Sequence, residues 1–599
     1  MLEAVRIRDL QRLLFLVAAC SSVALAHISV AAAQSLPPVF DAQDAARVTH
    51  DARIRVYLAP KRIVWTSDPS GQYVTHALRL VTVGNGQAQL VNRDLAALQS
   101  TSTQTPAVLL DFGREIHGGV RIVTGMWDSK QPVRVRVRFG ESVSEAMSEI
   151  GGASGATNDH AIRDYTLQLP WLGTIEIGQT GFRFVRIDLT EPGAQLLLRE
   201  ISAAFVYRDI PYLGAFHSSD ERLNQIWLTG AYTVQLNMQN YLWDGIKRDR
   251  LVWIGDMDPE VRTIASVFGD DEVVPRSLDL TRNATPLPEY MNGISSYSMW
   301  WVLIQRDRYR FRGDIGYLRE QQDYLRGLLD LLMSKTHNGR ERLDGWRFLD
   351  WSTEGNDAAV SAGLQALLAM TLDAGAELSD ALSDTALATR CRRVAADLRA
   401  HAPPMSANKQ ATALLALAGM VPASRANEVL SRGGTRGYSA FYGYYILQAK
   451  AQAGDYVGAM NDIRRYWGGM LDLGATSFWE DFDIDWLDNA NRIDELPTAG
   501  KRDVHATYGQ HSYTKLRMSL AHGWASGPTA WLTEHVLGVH VLEPGAKTIR
   551  IDPHLGDLSF VEGAFPTPYG IVKLRHTREP DGHINTVVDA PEGVHILRN

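Results

Sequence analysis

Between about residues 39 and 212 the chain carries short apolar stretches of period two, broken by Gly, Pro, Asn and Asp. Val133-Arg134-Val135-Arg136-Val137-Arg138-Phe139 and Phe182-Arg183-Phe184-Val185-Arg186-Ile187 are the clearest. Such alternation predicts strands with one buried and one polar face, and the interleaved arginines read as a solvated face. The period changes after Ser218-Ser219-Asp220-Glu221, which offers helix N-cap residues. Leu223, Ile226, Trp227, Gly230, Ala231 and Val234 then fall on one helical stripe. Helical patterns recur to about Leu537, with candidates at 315–333, 359–372, 384–400, 411–417, 440–453 and 456–470. From Val541 the short alternating runs return, as in Thr548-Ile549-Arg550-Ile551 and Ile571-Val572-Lys573-Leu574. The order is therefore β, then α, then a small β region. Many helices joined by loops rich in Trp, Gly, Asp and Asn, with no fixed-period repeat, predict a closed toroid of helical hairpins rather than an open solenoid.

The first segment departs from this pattern. Arg6, Arg8 and Arg12 precede an apolar run from Leu13 to Ala26, and Ala31, Ala32 and Ala33 follow before Gln34. This is the layout of a signal peptide, which predicts export to the periplasm or beyond and a mature chain starting near Gln34. A lipoprotein box at Cys20 is the weaker reading, because the sequence after it stays apolar. No later stretch reaches the ~20 apolar residues expected of a spanning helix. With Cys20 removed, Cys391 is the remaining cysteine and no intrachain disulfide can form.

Composition adds exclusions. A formal charge of −8 from 60 Lys+Arg against 68 Asp+Glu gives no electrostatic footprint for nucleic acid. No HExxH, paired CxxC, phosphate-binding loop or GxSxG elbow occurs. We therefore expect no metal and no cofactor.

Four clusters set acids or a histidine beside aromatics: 243–256, 344–351, 474–483 and 519–527. Taken singly, each reads as well as an ion-paired loop or, for His522, as a core histidine. Together, separated carboxylates with indole platforms suit glycoside hydrolysis. One acid protonates the leaving oxygen there, and the other activates water or attacks the sugar.

The stretch Asp244 to Asp256 resembles the signature Asp-x-Pro-x-Arg-x-Glu-Arg-Leu-Gly-Trp-x-Gly-Asp of family 78 α-L-rhamnosidases through Arg250-Leu251, Trp253 and Gly255-Asp256. Thr476-Ser477-Phe478-Trp479-Glu480 resembles that family's Thr-Thr-x-Trp-Glu segment, and 519–527 its Ser-Leu-x-His block. Leu110 to Glu115, Gly181 to Arg186, Glu543 to Ile549 and Pro568-Tyr569-Gly570 resemble its flanking β domains. The resemblance implies an (α/α)6 toroid over 216–538, flanked by a jelly-roll-like β-sandwich over 34–215 and a small β-sandwich over 539–599, with residues 1–33 as the signal peptide.

It further implies an exo-acting inverting hydrolase releasing terminal α-L-rhamnose or a similar deoxysugar. Asp249 would be the general acid and Glu480 the general base. Asp244, Arg248, Asp256, Asp350 and His522 would hold sugar hydroxyls, with Trp253, Trp351 and Trp479 as ring platforms. The loop is one residue shorter than the signature, with Ile246 for Pro, Val252 for Gly and Asp249 for Glu. An aspartate reaches about 1.5 Å less than a glutamate, so its backbone must approach the substrate more closely. Two other readings share the pattern: a non-catalytic glycan-binding protein on the same fold, and another toroid enzyme such as a uronyl hydrolase or glycoside phosphorylase.

Overall fold

Nine strands lie ahead of the helices in a single antiparallel sheet: β1 (Arg53–Leu58), β2 (Arg62–Thr66), β3 (Val74–Thr75), β4 (Ala96–Gln99), β5 (Ala107–Thr124), β6 (Val133–Gly140), β7 (Asp164–Leu169), β8 (Thr174–Leu189) and β9 (Gln195–Arg208). The order is β3-β4-β9-β5-β8-β6-β7, with β1 paired to β9 and β2 to β5. This is a computed structural model, and it describes residues 36–511 and 513–598. The signal-peptide and Cys20 readings lie outside the described residues. The described residues divide at Arg53 into two units, one on either side of it. In the unit ahead of Arg53, Asp41 caps the single helical turn Ala42–Ala45 by accepting from the backbone N–H of Gln43 and Asp44.

The alternating valines of β6 are buried as their period predicts, and Val135, Val137 and Phe139 join Phe182, Val185 and Ile187 of β8 in one apolar core. The arginine stripe differs from the sequence reading. Arg134 is exposed, but Arg138 is buried with its guanidinium 3.0 Å from Asp188. Arg183 is buried too, donating to both oxygens of Asp111 (2.8 and 3.0 Å) and to the carbonyl of Gly474 beyond the sheet. Alternation marks two chemically different faces, and a guanidinium satisfied by carboxylates and carbonyls can face protein instead of water.

The helical region opens at Glu221–Asn237, with Asp220 accepting from the N–H of Arg222 and Leu223 as the N-cap. The expected helix at 315–333 is two, Ile315–Glu320 and Gln322–Ser334, broken at Gln321. The expected helix at 359–372 extends to Asp357–Ala381. By length and composition this one is apolar enough to cross a membrane, which corrects the expectation of no such stretch, but 72% of its most apolar window is buried inside the fold. Beyond those the periodicity picked out, the region also contains Ile254–Val267, Val273–Ala284, Ser295–Arg312 and Ala423–Leu430, and the short helices Val504–Thr507 and Gly527–Trp531. Trp300, Trp301, Trp467, Trp479 and Trp531 are fully buried in its core.

Two small sheets follow the helices. One contains Val539–Val541, Thr548–Ile551 and His595–Arg598. The other contains Phe560–Thr567, Gly570–Arg578 and Ile584–Asp589, and takes its fourth strand, β10 (Ala215–Ser218), from ahead of the helices. The chain is thus of mixed class, with strands, helices and strands in the order expected.

Candidate active site

Three segments far apart in sequence are stitched together at one end of the helices. Gly245 and His522 form a backbone bridge, the Gly523 N–H donates to the Asp244 carbonyl (2.8 Å), and the Glu480 N–H donates to the Ser519 carbonyl (3.0 Å). The stretch read as one loop, 243–256, ends inside a helix, because Trp253 is the N-cap of Ile254–Val267. Asp256 therefore sits in a first helical turn, where the exposed backbone N–H groups favour a carboxylate. The loop itself closes through Asp244, whose carboxylate accepts the Leu251 N–H at 2.9 Å.

Arg248 is the centre of the charge arrangement. One terminal nitrogen donates to Asp249 Oδ1 (2.6 Å) and the other to Glu480 Oε1, while the guanidinium lies over the Tyr513 ring at 4.3 Å. The Glu480 carboxylate also accepts the Ser519 N–H at Oε2 (2.9 Å). Glu480 is fully buried, whereas the Asp249 side chain keeps 15% of its surface exposed and has His160 Nε2 at 3.4 Å. His522 joins Asp256 through Nε2 (3.1 Å), and Asp256 also accepts from the Tyr297 hydroxyl (3.2 Å).

Burial dominates the proton affinities here. It pushes Asp244 well above the carboxylate range, with the Asp249 and Asp256 charges adding and His522 opposing. It raises Asp256 despite the His522 and Tyr297 hydrogen bonds, and puts Glu260, behind the site, well above its ordinary value. For His522 burial works against the proton, but Glu480, Asp256 and Asp244 outweigh it and lift the imidazole to about 8. Asp481, beside Glu480, is pushed up to about 7 by burial and by Asp350 and Glu480.

Two adjoining cavities open beside these groups. One is lined by Asp244, Asp249, Asp256 and His522 with Trp253, Tyr297 and Trp346 among its aromatic walls. The other holds Asp350, Glu480, Asp481 and Asp483. Trp351, Tyr513 and Trp524 line both. Of the residues singled out from sequence, Asp244, Asp249, Trp253, Asp256 and His522 come together in the first cavity, Asp350 and Glu480 in the second, and Trp351 in both.

Two expectations are corrected. Trp479 is fully buried and packs edge-on against Phe482, so it offers no ring face to a sugar. Arg248 lines neither cavity; its guanidinium is taken up by Asp249, Glu480 and Tyr513 and not held open for hydroxyls. Tyr297, Trp346, Tyr513 and Trp524 were not singled out as site residues. Trp346 and Trp524 stand within quoted clusters, while Tyr297 and Tyr513 lie in stretches with no motif signal. Trp346 is 47% exposed, unusual for an indole in a folded chain, and lies at the first cavity.

The chain runs strands, helices, strands, and its helical region gathers carboxylates from remote segments into an aromatic-walled cleft. Residues 211–404 match the family model of the bacterial alpha-L-rhamnosidase six-hairpin glycosidase domain, and residues 538–597 that of the bacterial alpha-L-rhamnosidase C-terminal domain. Over these two stretches the chain is similar to the bacterial α-L-rhamnosidases. No curated protein sequence matches it. Among solved structures it is similar to the family 78 rhamnosidase of Bacillus sp. GL1, with a TM-score of 0.70 at 19% identity, covering 88% of this chain and 55% of that one. It is similar to a Klebsiella oxytoca rhamnosidase with rhamnose bound, with a TM-score of 0.64 at 20% identity over 80% and 96% of the two chains. For a Streptomyces avermitilis α-L-rhamnosidase complexed with L-rhamnose the values are 0.63 and 18%, over 84% and 50%. The chain thus spans about half the length of the Bacillus and Streptomyces proteins.

Proposed function

We propose that this protein is an exo-acting inverting glycoside hydrolase that releases terminal α-L-rhamnose, or a similar deoxysugar, from a glycan or glycoside. The observation that carries the reading is Arg248 joining Asp249 and Glu480, two carboxylates from distant segments, beside cavities walled by tryptophan and tyrosine. Asp249, the more accessible of the pair, protonates the glycosidic oxygen. Glu480 takes a proton from the water that attacks the anomeric carbon from the opposite face, so the C–O bond breaks as the new one forms and the configuration inverts. The backbone of Asp249 has a φ of 55°, and the residue lines the first cavity. Asp244, Asp256 and His522 hold sugar hydroxyls in the first cavity and Asp350 in the second, with Trp253, Trp351 and Trp346 flanking the ring.

Inversion requires carboxyls roughly 6.5–9.5 Å apart. In this structure a single guanidinium bridges the two carboxylates. The rhamnose in the Klebsiella and Streptomyces structures supports the sugar, and the six-hairpin match over residues 211–404 supports the closed (α/α)6 toroid that we propose over 216–538, between β-sandwich domains proposed over 34–215 and 539–599. Residues 1–33 then serve as an export signal to the periplasm or beyond.

Aryl α-L-rhamnoside, α-L-fucoside and β-D-glucuronide assayed side by side test the reading. Release from the rhamnoside, abolished in Glu480→Gln, is the expected result, and turnover of the glucuronide alone would overturn it. The engagement of both Glu480 oxygens, by Arg248 and the Ser519 N–H, favours a second reading in which the cleft binds glycan without turnover. Rhamnose binding by calorimetry with no hydrolysis of any of the three substrates would establish that one instead.

A further inference from the structure

The acid loop is fastened to the N-terminal sheet and its connecting segments through four of the residues 246–250, Arg248 being the exception. The Ile246 carbonyl accepts the Gly181 N–H (2.9 Å), Lys247 enters a carboxylate pair, Asp249 lies beside His160, and Arg250 donates to the carbonyls of Gln179 (2.9 Å) and His160 (2.6 Å). The carboxylate pair is Glu141, which follows β6 directly, and Glu145 of the short helix Val143–Met147. Gly140 allows that helix to fold back, since a Cβ there would meet the Ala146 nitrogen at 2.4 Å.

Lys247 Nζ lies 3.0 Å from Glu141 and 3.3 Å from Glu145, and also donates to the carbonyls of Leu516 (3.1 Å) and Met518 (2.5 Å). Glu141, Glu145 and His505 have the donor set of a cation site, and the ammonium of Lys247 already supplies the positive charge against both carboxylates. Glu145 is further tied to the turn ahead of its helix, accepting the Glu141 N–H at 2.9 Å.

Glu141 differs from Glu145 in reaching a second segment. Its Oε2 accepts the Leu520 N–H at 2.6 Å, and its Oε1 lies 3.5 Å from the Ser519 hydroxyl. Ser519 is the residue whose N–H binds Glu480, and Lys247 precedes the arginine that binds both Glu480 and Asp249. One buried carboxylate therefore holds the neighbours of both groups that set the Glu480 position.

We infer that Glu141 is a positioning residue for the Asp249–Glu480 pair, and that the N-terminal sheet is thereby a working part of the active site and not an accessory to it. This rests on the reading of Asp249 and Glu480 as acid and base. Misplacing a reacting group by about 1 Å costs on the order of a hundredfold in rate, so a buried tether to both sides has a kinetic signature distinct from a contribution to folding.

Glu141→Gln and Glu145→Gln, made in the full chain, separate the two. Both remove a charge facing Lys247, but Glu141→Gln also weakens the link to Ser519 and Leu520. Glu141→Gln is expected to lower kcat on an aryl α-L-rhamnoside by about tenfold to a hundredfold, with KM changed by less than about threefold, at a melting temperature matching that of Glu145→Gln. Equal kcat losses in the two variants, or losses that follow melting temperature, would overturn the inference. Should Glu141→Gln not fold, Glu141→Asp answers, since it keeps the charge against Lys247 but draws the carboxylate back. A lowered kcat supports the tether, and wild-type kcat refutes it. A wild-type enzyme inactive on rhamnosides would instead be a failure of the functional reading, visible before any variant is made.

Discussion

Asp249 and Arg250 are consecutive non-glycine residues with φ of 55° each, in the left-handed region that costs such residues of order 1–3 kcal/mol. Arg250 offsets that cost with its two carbonyl acceptors, Gln179 of β8 and His160 ahead of β7. Asp249 gains access to the cavity. If it supplies the proton, Asp249→Asn will slow natural rhamnosides far more than aryl substrates with good leaving groups, which need little protonation. Equal loss on both would move the acid to Asp244. Glu480→Gln is expected to remove activity on both.

His522 makes a pH prediction of its own. Its folded-state value of about 8 lies above the ordinary 6.5, so its stabilising contribution is complete below about pH 6.5 and is lost as pH rises through about 8. The contribution is of order 2 kcal/mol. The melting temperature of wild type minus that of His522→Gln should therefore shrink between about pH 6 and pH 9, and a constant difference would refute the protonated imidazole.

At this scale the sequence picked out Asp249, Asp256, Glu480 and His522, which the fold brings to two adjoining cavities, because spacing and residue type survive in motifs. It misread Trp479 and Arg248, because a tryptophan beside an acid looks the same whether it faces a cavity or the core, and an arginine's partner can lie hundreds of residues away.

Among the elements, caps and periods were readable, and depth was not. Asp220 was legible as an N-cap and Glu221–Asn237 as its helix, since both signals are local. Helix Ile254–Val267 was hidden because it starts within the charged motif and carries Pro259. The buried arginines of β6 and β8 were read as solvated because the elements that cover them come from elsewhere in the chain.

This difference in depth separates two tryptophans that the sequence put in one role. Trp479→Ala empties a fully buried position and should destabilise by about 3–5 kcal/mol in denaturant unfolding. Trp253→Ala, at the cavity wall, should mainly raise KM. The reverse pattern would put Trp479 at the ligand after all. Gly523 belongs with the buried positions, since a Cβ there would meet Glu260 Oε1 at 1.6 Å behind the site.

For the whole molecule, the succession of strands, helices and strands followed from changes in hydrophobic period, which need no knowledge of contacts. What could not be read was the traffic between regions, such as the Glu141 links or the pairing of β10, because such contacts leave no periodic trace. On the proposed mechanism the stereochemical outcome belongs to this scale, since it depends on two carboxylates delivered by distant segments. The first sugar released should be the β anomer, seen by proton NMR before mutarotation, and initial release of the α anomer would require Glu480 to be reassigned.

The pairing of β10 also bears on how the protein is made. His217 of this strand lies opposite Glu562, which leaves the ribosome 345 residues later. Until then the nascent polypeptide carries a strand without its neighbour, and the helices that follow it are built on an unfinished anchor. Contacts of such long sequence separation form late and slowly, and an open strand edge in the interval invites association between chains. Translation products halted before Phe560 should accordingly accumulate as aggregates rather than as a soluble helical fragment, so that completing this one small sheet acts as a checkpoint on synthesis.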